Sequence, residues 1–134
     1  MATPTIVVAA ALVDRSGRVL MQQRRLQSAH GGLWEFPGGK VEAKETTEEA
    51  LVREIGEELG VVVAAEALVP VAFSSGLGAN GNAIVLLLYL VREWSGEPQC
   101  LDAEAIGWFV SSELDRLVLP PLDIPLVAAL RQAI

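Results

Sequence analysis

The stretch of sequence that decides the fold of this chain is Gly38–Val61, GGKVEAKETTEEALVREIGEELGV. It opens with a pair of glycines and continues into a segment whose apolar residues recur at helical spacing. Thr46 followed by Glu49 has the capping-box spacing of a helix N-terminus. Gly60 predicts the end of the helix, because glycine adopts the left-handed conformation there at little cost. The stretch therefore predicts a glycine turn followed by a well-defined helix.

The predicted helix carries an unusual group of acidic side chains. Glu54, Glu57 and Glu58 are spaced i, i+3 and i+4, so we expect their carboxylates to leave the helix from one surface patch. Like charges at this spacing repel, and Arg53 alone does not neutralise three acids. Carboxylates without a nearby His or Cys favour Mg²⁺ or Mn²⁺ over Zn²⁺. The alternative, a solvated acidic helix face, leaves the flanking glycines and the spacing unexplained.

The spacing of this stretch resembles a known family pattern. Every fixed position of the Nudix box is filled, by Gly39, Glu45, Arg53–Ile55, Glu57–Glu58 and Gly60–Val61. A pattern with so many constrained positions is far more specific than a lone glycine-rich phosphate loop. The resemblance implies a Nudix hydrolase.

The resemblance also covers segments outside the box, and therefore most of the chain. They are LWEFP at 33–37, which is similar to the MutT-like branch of the family, WSGEP at 94–98 and PPLDIP at 120–125. The MutT-like enzymes act on nucleoside triphosphates, so the resemblance implies a small-molecule nucleotide as the partner of this chain.

The remaining sequence predicts strands before, between and after two helices. Strands are expected over 6–13, 19–24, 34–36, 61–63, 67–73, 83–94 and 105–110, with a loop or hairpin turn over 74–82, a helical turn over 113–117 and a last helix capped by Asp123. This order predicts an α/β protein in which helices sandwich a mixed β-sheet, and the resemblance implies the same α/β/α Nudix fold. At 134 residues the chain is expected to form one domain, residues 1–134.

Composition and charge narrow the class of protein. The net charge of −7 argues against binding of a nucleic-acid polymer, which needs Lys and Arg. Seven of the 17 acidic residues lie between Glu42 and Glu58, so the charge is local to the box. Cys100 is the only cysteine, which excludes an intrachain disulfide and fits a reducing cytoplasm. No apolar run approaches membrane-spanning length, and 5–13 lacks the basic start of a signal peptide.

The resemblance assigns a metal site to the box. It implies Mg²⁺, or Mn²⁺, held by Glu54, Glu57 and Glu58 together with the main-chain carbonyl of Gly38. A glycine suits this position, because the absence of a side chain lets a carbonyl approach an ion. The metal ion would clamp phosphate oxygens and lower the pKa of bound water.

Further residues of the box are expected to support the metal ligands. Arg53 is expected to orient carboxylates, and Glu45 either to hydrogen-bond Arg53 or to hold a second metal ion through water. Lys40 is expected to contact a phosphate or to be a solvated loop lysine.

The acceptor of the proton from water has more than one candidate. Glu54 is the candidate within the box. The resemblance adds an acid six residues before a strand tryptophan, and with Trp108 as that tryptophan the acid is Asp102, with Glu104 as the alternative. The expected catalytic residues are Glu54, Glu57, Arg53, Glu45 and Asp102.

The resemblance places Arg24, Phe36 and Asp123 at positions that approach the nucleotide. Asp123 stands where MutT has an Asn that recognises oxidised guanine. An ionised Asp only accepts hydrogen bonds, which suits the N4 donor of cytosine, whereas a protonated Asp also suits oxidised guanine. The alternative for Asp123 is a plain helix N-cap. The strand that begins at 83 has no aromatic residue at its start, unlike the corresponding strand of MutT-like proteins. The lone His30 is given no metal role.

The sequence therefore predicts a Mg²⁺-dependent pyrophosphohydrolase that cleaves an oxidised or modified nucleoside triphosphate, such as 8-oxo-dGTP, to the monophosphate and pyrophosphate. Such an activity would cleanse the nucleotide pool and so serve DNA repair. One alternative substrate is CTP or dCTP, and less favoured ones are ADP-ribose and dinucleoside polyphosphates. A non-catalytic module that binds damaged bases is disfavoured, because such modules lose the acids of the box.

Overall fold

The computed structural model of the protein describes residues 3–134. The strands are β1 (Thr5–Leu12), β2 (Val19–Gln23), β3 (Trp34–Glu35), β4 (Gly38–Lys40), β5 (Val69–Leu77), β6 (Ala83–Val91) and β7 (Ala105–Phe109). The helices are α1 (Thr47–Leu59), α2 (Ser111–Leu114) and α3 (Ile124–Ala133), with a 3₁₀ turn at Ala65–Ala67. Within this part of the chain, no helix has the length and apolar composition that crossing a membrane requires.

The strands form a mixed sheet and a smaller antiparallel sheet. The mixed sheet has the order β4-β1-β6-β5, with β1 parallel to β6 and the other pairs antiparallel. The second sheet has the order β3-β2-β7 and is antiparallel throughout. Strand β4 contains the glycine pair at the start of the box. Strand β1 joins it to the rest of the sheet, because β1 pairs with β4 on one side and with β6 on the other.

The core lies on both faces of the mixed sheet, which explains the unbroken apolar run of β1. Alternate residues of a strand point to opposite faces, and the side chains of β1 therefore divide between two core clusters. Val8 packs in the cluster that contains Leu51 and Ile55 of α1. Ala9 packs in the cluster that contains Leu126 and Leu130 of α3. Helices thus cover both faces, and the predicted α/β/α sandwich is confirmed.

Several boundaries differ from the sequence expectations. Strand β5 extends to Leu77, into the segment 74–82 that we expected to be a loop, because Ser74–Leu77 pair with residues 83–86 of β6. Residues 61–63 form only an isolated bridge, between Val62 and Ser95, rather than a strand. Strand β6 ends at Val91, before the expected end at residue 94. These segments depend on strand partners that are distant in the chain.

Candidate active site

Helix α1 has the boundaries that its capping residues predict. Thr46 is the N-cap, its hydroxyl accepts the N–H of Glu49, and the Glu49 carboxylate accepts the N–H of Thr46. Gly60 ends the helix with a left-handed backbone, φ 71°. Because both ends are determined locally, the direction in which each box side chain leaves the helix is determined as well.

Arg53 lies at the centre of a group of acids on the outer side of the box. Its Nε and Nη2 donate to the two oxygens of Glu45 at 2.7 and 3.0 Å, and its Nη1 donates to Glu54 at 2.8 Å. Nη2 also donates to the carbonyl of Lys40 at 3.1 Å. The hydrogen bonds from Arg53 and from the N–H of Glu42 lower the pKa of Glu45 to about 2. Of the two arrangements expected for Glu45, the structure has the hydrogen bond to Arg53.

Glu58 lies in a different environment, beneath the turn that precedes α1. It is 9% exposed, whereas the side chain of Glu57 is 62% exposed. The N–H of Gly38 donates to Glu58 Oε1 at 2.8 Å, and Nε2 of Gln22 donates to Oε2 at 3.2 Å. The expectation that the three box acids share one surface patch is therefore wrong for Glu58, because the turn of β4 covers it.

Burial governs the protonation of Glu58. Removal from water raises its pKa to about 8, and the nearby carboxylates of Glu54 and Glu35 add to the rise. The hydrogen bonds from Gln22 and Gly38 oppose it. A carboxylate in this position is stabilised by any cation that reaches it.

The glycine pair is required by close approach of the backbone. A Cβ on Gly38 would lie 1.9 Å from the carbonyl oxygen of Val8, and the φ of Gly38 is 156°. A Cβ on Gly39 would lie 2.4 Å from the carboxyl carbon of Glu54. The turn can therefore bring the Gly38–Gly39 backbone and the α1 carboxylates together only with glycine at both positions.

The donor chemistry of this turn fits a hard divalent cation. Its groups are the carboxylates of Glu54, Glu57 and Glu58 and the backbone of Gly38, all oxygen donors without His or Cys. Within residues 3–134, no group of three or more His, Cys, Asp or Glu side chains lies in an arrangement that could hold a metal ion as it stands. Two side chains give the reason: Glu54 is turned to Arg53, and the side chain of Glu57 is largely exposed to solvent.

A cavity of about 550 Å³ opens on the other side of the glycine turn. Gly38, Gly39 and Lys40 form one wall, and Leu77, Ala79 and Ile84 line the cavity from β5, the following loop and β6. The further lining residues are Val7, Val8, Ala9, Arg24, Ala29, His30, Glu35, Phe36, Gly76, Leu86, Pro120, Pro121, Leu122 and Asp123. The lining from the end of β5 to the start of β6 is thus aliphatic, in agreement with the missing aromatic residue noted in the sequence.

Asp123 takes part in this cavity and not in a helix cap. It occupies the N-cap position of α3, but its side chain makes no capping hydrogen bond. Instead, the N–H of Phe36 donates to Asp123 Oδ2 at 3.3 Å. The interpretation of Asp123 as a plain N-cap is therefore wrong, because the carboxylate contacts the backbone of Phe36, the residue after β3. Burial, and then the charge of Glu35, raise the pKa of Asp123 to about 7.

Glu35 is a site residue to which the sequence analysis assigned no role. It lines the cavity beside Asp123, and Nη1 of Arg24 donates to its Oε1 at 2.8 Å. Burial raises the pKa of Glu35, and Arg24 opposes the rise. The signal that could have found it is its position as a single acid between Trp34 and Phe36, since an acid in an apolar strand needs a partner or a function.

The two acids of the loop before β7 are placed differently. Asp102 lines a polar cavity of about 300 Å³ together with Glu58 and Gln22, and Arg25 approaches it at 3.4 Å. Glu104 instead accepts the N–H of Leu26 at 3.4 Å. The structure therefore brings Asp102 to the buried box acid, and Glu104 is engaged elsewhere.

The remaining expected residues fall around the larger cavity. Phe36 is buried in the core and also lines the cavity. Lys40 lies at the exposed end of β4, on the cavity wall. His30, which received no role, lines the cavity from the loop after β2 and has a left-handed backbone, φ 58°. Arg24, Phe36, Lys40 and Asp123 are thus brought together, while Glu45 lies on the outer side of α1.

The chain is similar in sequence and in fold to known nucleotide hydrolases. The chain is 40% identical over 124 residues to the CTP pyrophosphohydrolase of Escherichia coli, covering 92% of this chain and 90% of that protein. It is 36% identical over 124 residues to the 8-oxo-dGTP diphosphatase of Haemophilus influenzae, covering 91% and 88% of the two chains. The crystal structure of the MutT NUDIX hydrolase from Burkholderia pseudomallei superposes with a TM-score of 0.80 at 35% identity, covering 99% and 100%.

The family assignment follows from the extent of these matches. Residues 3–130 of this chain match the NUDIX domain family. The names of the relatives are those of MutT-like diphosphatases and pyrophosphohydrolases, as the sequence predicts. This chain belongs to the Nudix hydrolase family.

Proposed function

We propose that this chain is a divalent-metal-dependent pyrophosphohydrolase that cleaves a modified nucleoside triphosphate, such as 8-oxo-dGTP, to the monophosphate and pyrophosphate. The observation that carries the proposal is the position of Gly38. It lines both the large cavity and the polar cavity that contains Glu58. A base in the large cavity therefore places its phosphate chain across the glycine turn, next to the box acids.

The residues of the box have different roles at the phosphate chain. Glu54, Glu57, Glu58 and the Gly38 carbonyl would hold Mg²⁺ or Mn²⁺, which when bound clamps phosphate oxygens and lowers the pKa of water. Arg53 holds Glu54 in place, and Glu45 holds Arg53. Lys40 on the cavity wall supplies a positive charge for the phosphates.

Two side chains are candidates for accepting the proton of the attacking water. Glu54 lies against the backbone of Gly39, beside the expected path of the phosphates. Asp102 lies at the polar cavity with a side chain that is 67% exposed, so it is free to move toward that path. We assign the proton to Glu54 because it is already within the turn, with Asp102 as the supporting acid.

Glu35 and Asp123 are the polar groups that we assign to recognition of the base. The two carboxyl groups are close enough for the charge of Glu35 to raise the pKa of Asp123. One ionised and one protonated carboxyl together offer an acceptor and a donor. The edge of a base with a donor next to an acceptor, as in oxidised guanine, can form hydrogen bonds to both carboxyl groups.

A second substrate class, CTP or dCTP, is favoured by the same two residues. Cytosine presents an N4 amino group, and an ionised Glu35 or Asp123 can accept a hydrogen bond from it. A relative of 40% identity is named for CTP. The aliphatic lining by Leu77, Ala79 and Ile84 adds no group that discriminates between the two bases.

The test is a panel of nucleoside triphosphates, with pyrophosphate and phosphate release measured separately. We expect pyrophosphate with the monophosphate, turnover that stops in EDTA, and recovery on addition of Mg²⁺. The panel should include 8-oxo-dGTP, dGTP, CTP and dCTP, with ADP-ribose and a dinucleoside polyphosphate as alternatives. Release of single phosphates, or unchanged turnover in EDTA, would contradict the proposal.

A further inference from the structure

Gln22 is a buried amide that follows three apolar residues in β2, a strand whose last residue, Gln23, is also polar. It is 3% exposed, and the three preceding residues of β2, Val19–Met21, are fully buried core residues. In the antiparallel register it lies opposite Glu35 on β3 and opposite Ile106 on β7. Most of the side chain is enclosed, and it also lines the polar cavity that contains Glu58 and Asp102. A Leu or Met of similar size would occupy the same space without any polar atom.

The amide of Gln22 is only partly satisfied. Its Nε2 donates to Glu58 Oε2 at 3.2 Å. Its Oε1 is buried and is without a hydrogen-bond partner among the residues that the structure describes. When Glu58 is ionised, as a metal ligand must be, turning the amide over would set Oε1 against a carboxylate oxygen, which is unfavourable for two acceptors. A buried unpaired acceptor lowers stability, so Gln22 is not explained by packing or by stability.

What the amide does provide is a second donor to Glu58. The carboxylate has one oxygen on the N–H of Gly38, at 2.8 Å, and the other on Gln22. The two donors come from β4 and β2, which belong to different sheets. A glutamate has several rotatable bonds, and two donors from independent elements restrict its carboxylate to one orientation.

We propose that Gln22 is a positioning residue that holds Glu58 in the orientation in which it binds the divalent cation. This inference rests on the proposed function, since it assumes that Glu58 is a metal ligand. Hydrogen bonds to a ligating carboxylate orient it and increase its affinity for the metal. Gln22 belongs to no part of the Nudix box, and the tertiary structure brings it to Glu58 from 36 residues away in the chain.

Gln22→Met tests the inference, because methionine keeps the size and shape of the side chain and removes the amide. We expect the Kd for Mn²⁺, measured by electron paramagnetic resonance in the absence of nucleotide, to rise about 10- to 100-fold, the usual range for loss of a group that orients a ligand. The melting temperature without metal should change little, because loss of the buried donor to Glu58 and loss of the unpaired Oε1 act in opposite directions. A purely structural role would lower the melting temperature and leave the Kd unchanged.

Gln23→Met is the matched control. Gln23 is the next residue of β2, and its Nε2 donates to the carbonyl of Gly32 at 3.0 Å, away from Glu58. Its substitution removes an amide hydrogen bond from the same strand without touching Glu58. We expect the Kd for Mn²⁺ to stay at the parent value. An equal rise in both variants would overturn the assignment of Gln22.

Glu58→Gln separates failure of this inference from failure of the proposed function. If Glu58→Gln weakens Mn²⁺ binding while Gln22→Met does not, the role of Gln22 is wrong and the metal site stands. If the parent protein binds no Mn²⁺, both are overturned. Gln22→Leu serves as a second variant, and failure of both Gln22 variants to fold would assign the amide to the fold and overturn the inference.

Discussion

Two groups of acids lie on either side of the Gly38–Gly39 turn, and they differ in how their charge is balanced. On the outer side, Arg53 donates three hydrogen bonds to Glu45 and Glu54. On the inner side, Glu58 and Asp123 are buried and Glu35 is half-buried, and Arg24 is the cation that pairs with Glu35. The pKa of Glu45 is lowered to about 2, whereas that of Glu58 is raised to about 8.

The difference separates Glu45, which is arranged for stability, from the inner acids, which are arranged for a ligand. Glu54 belongs to both groups, because it accepts a hydrogen bond from Arg53 and is also assigned to the metal. The outer acids find their counter-charge within the protein, so they help to hold the box together. The inner acids are kept partly uncompensated, which costs stability and is typical of groups that a ligand completes. The cation that we propose at Glu58 and the base that we propose at Asp123 would each supply the missing partner.

The largest effect is expected from Glu57→Gln, which removes one of the acids assigned to the metal. We expect kcat/KM to fall at least about 100-fold, since loss of a ligand should cost no less than loss of a group that orients one. Glu57 is exposed and its contact with Arg53 is long, 3.5 Å, so the melting temperature should hold. The assay is pyrophosphate release at saturating Mg²⁺. Glu66→Gln, at an exposed acid of the 3₁₀ turn, is the control and should retain the parent rate.

A smaller effect, on substrate preference, is expected from Asp123→Asn. The substitution places a donor and an acceptor at this buried position of the cavity at every pH, whereas Asp123 offers a donor only when it is protonated. We expect the ratio of kcat/KM for CTP to that for 8-oxo-dGTP to shift by about 1–3 kcal/mol, roughly five- to a hundredfold or more. An unchanged ratio would remove Asp123 from base recognition and leave Glu35 as the remaining polar candidate.

The smallest effect is a difference in the pH dependence of stability between the two groups, measured as melting temperature in EDTA. The folded pKa of Asp123 is raised to about 7, so its stabilising contribution is complete below its unfolded pKa and is lost as the pH rises toward 7. Asp123→Asn should therefore make the fall in stability between about pH 4 and pH 7 shallower.

Glu45→Gln should act in the opposite direction. The folded pKa of Glu45 is lowered to about 2, so its contribution is complete above its unfolded pKa and is lost as the pH falls toward 2. The variant should show a smaller loss of stability on acidification below about pH 4.5. Parallel pH profiles for the parent and both variants would contradict the distinction between the outer and inner acids.

The sequence by itself determined the parts of the protein that depend on neighbours along the chain. The limits of α1 follow from Thr46, Glu49 and Gly60, because capping is local. The contact of Arg53 with Glu45 lies within the box, and the family could be predicted because the box has fixed spacing. The α/β/α fold followed from the order of apolar segments.

Only the tertiary structure decided the inner site. The burial of Glu58 depends on β4 folding over α1, and its second donor is Gln22, 36 residues away in the chain. Asp123 turns from the expected helix cap to Phe36, 87 residues away, where it meets Glu35. Burial and long-range pairing arise when strands from distant parts of the chain come together, and spacing along the sequence carries no signal for them.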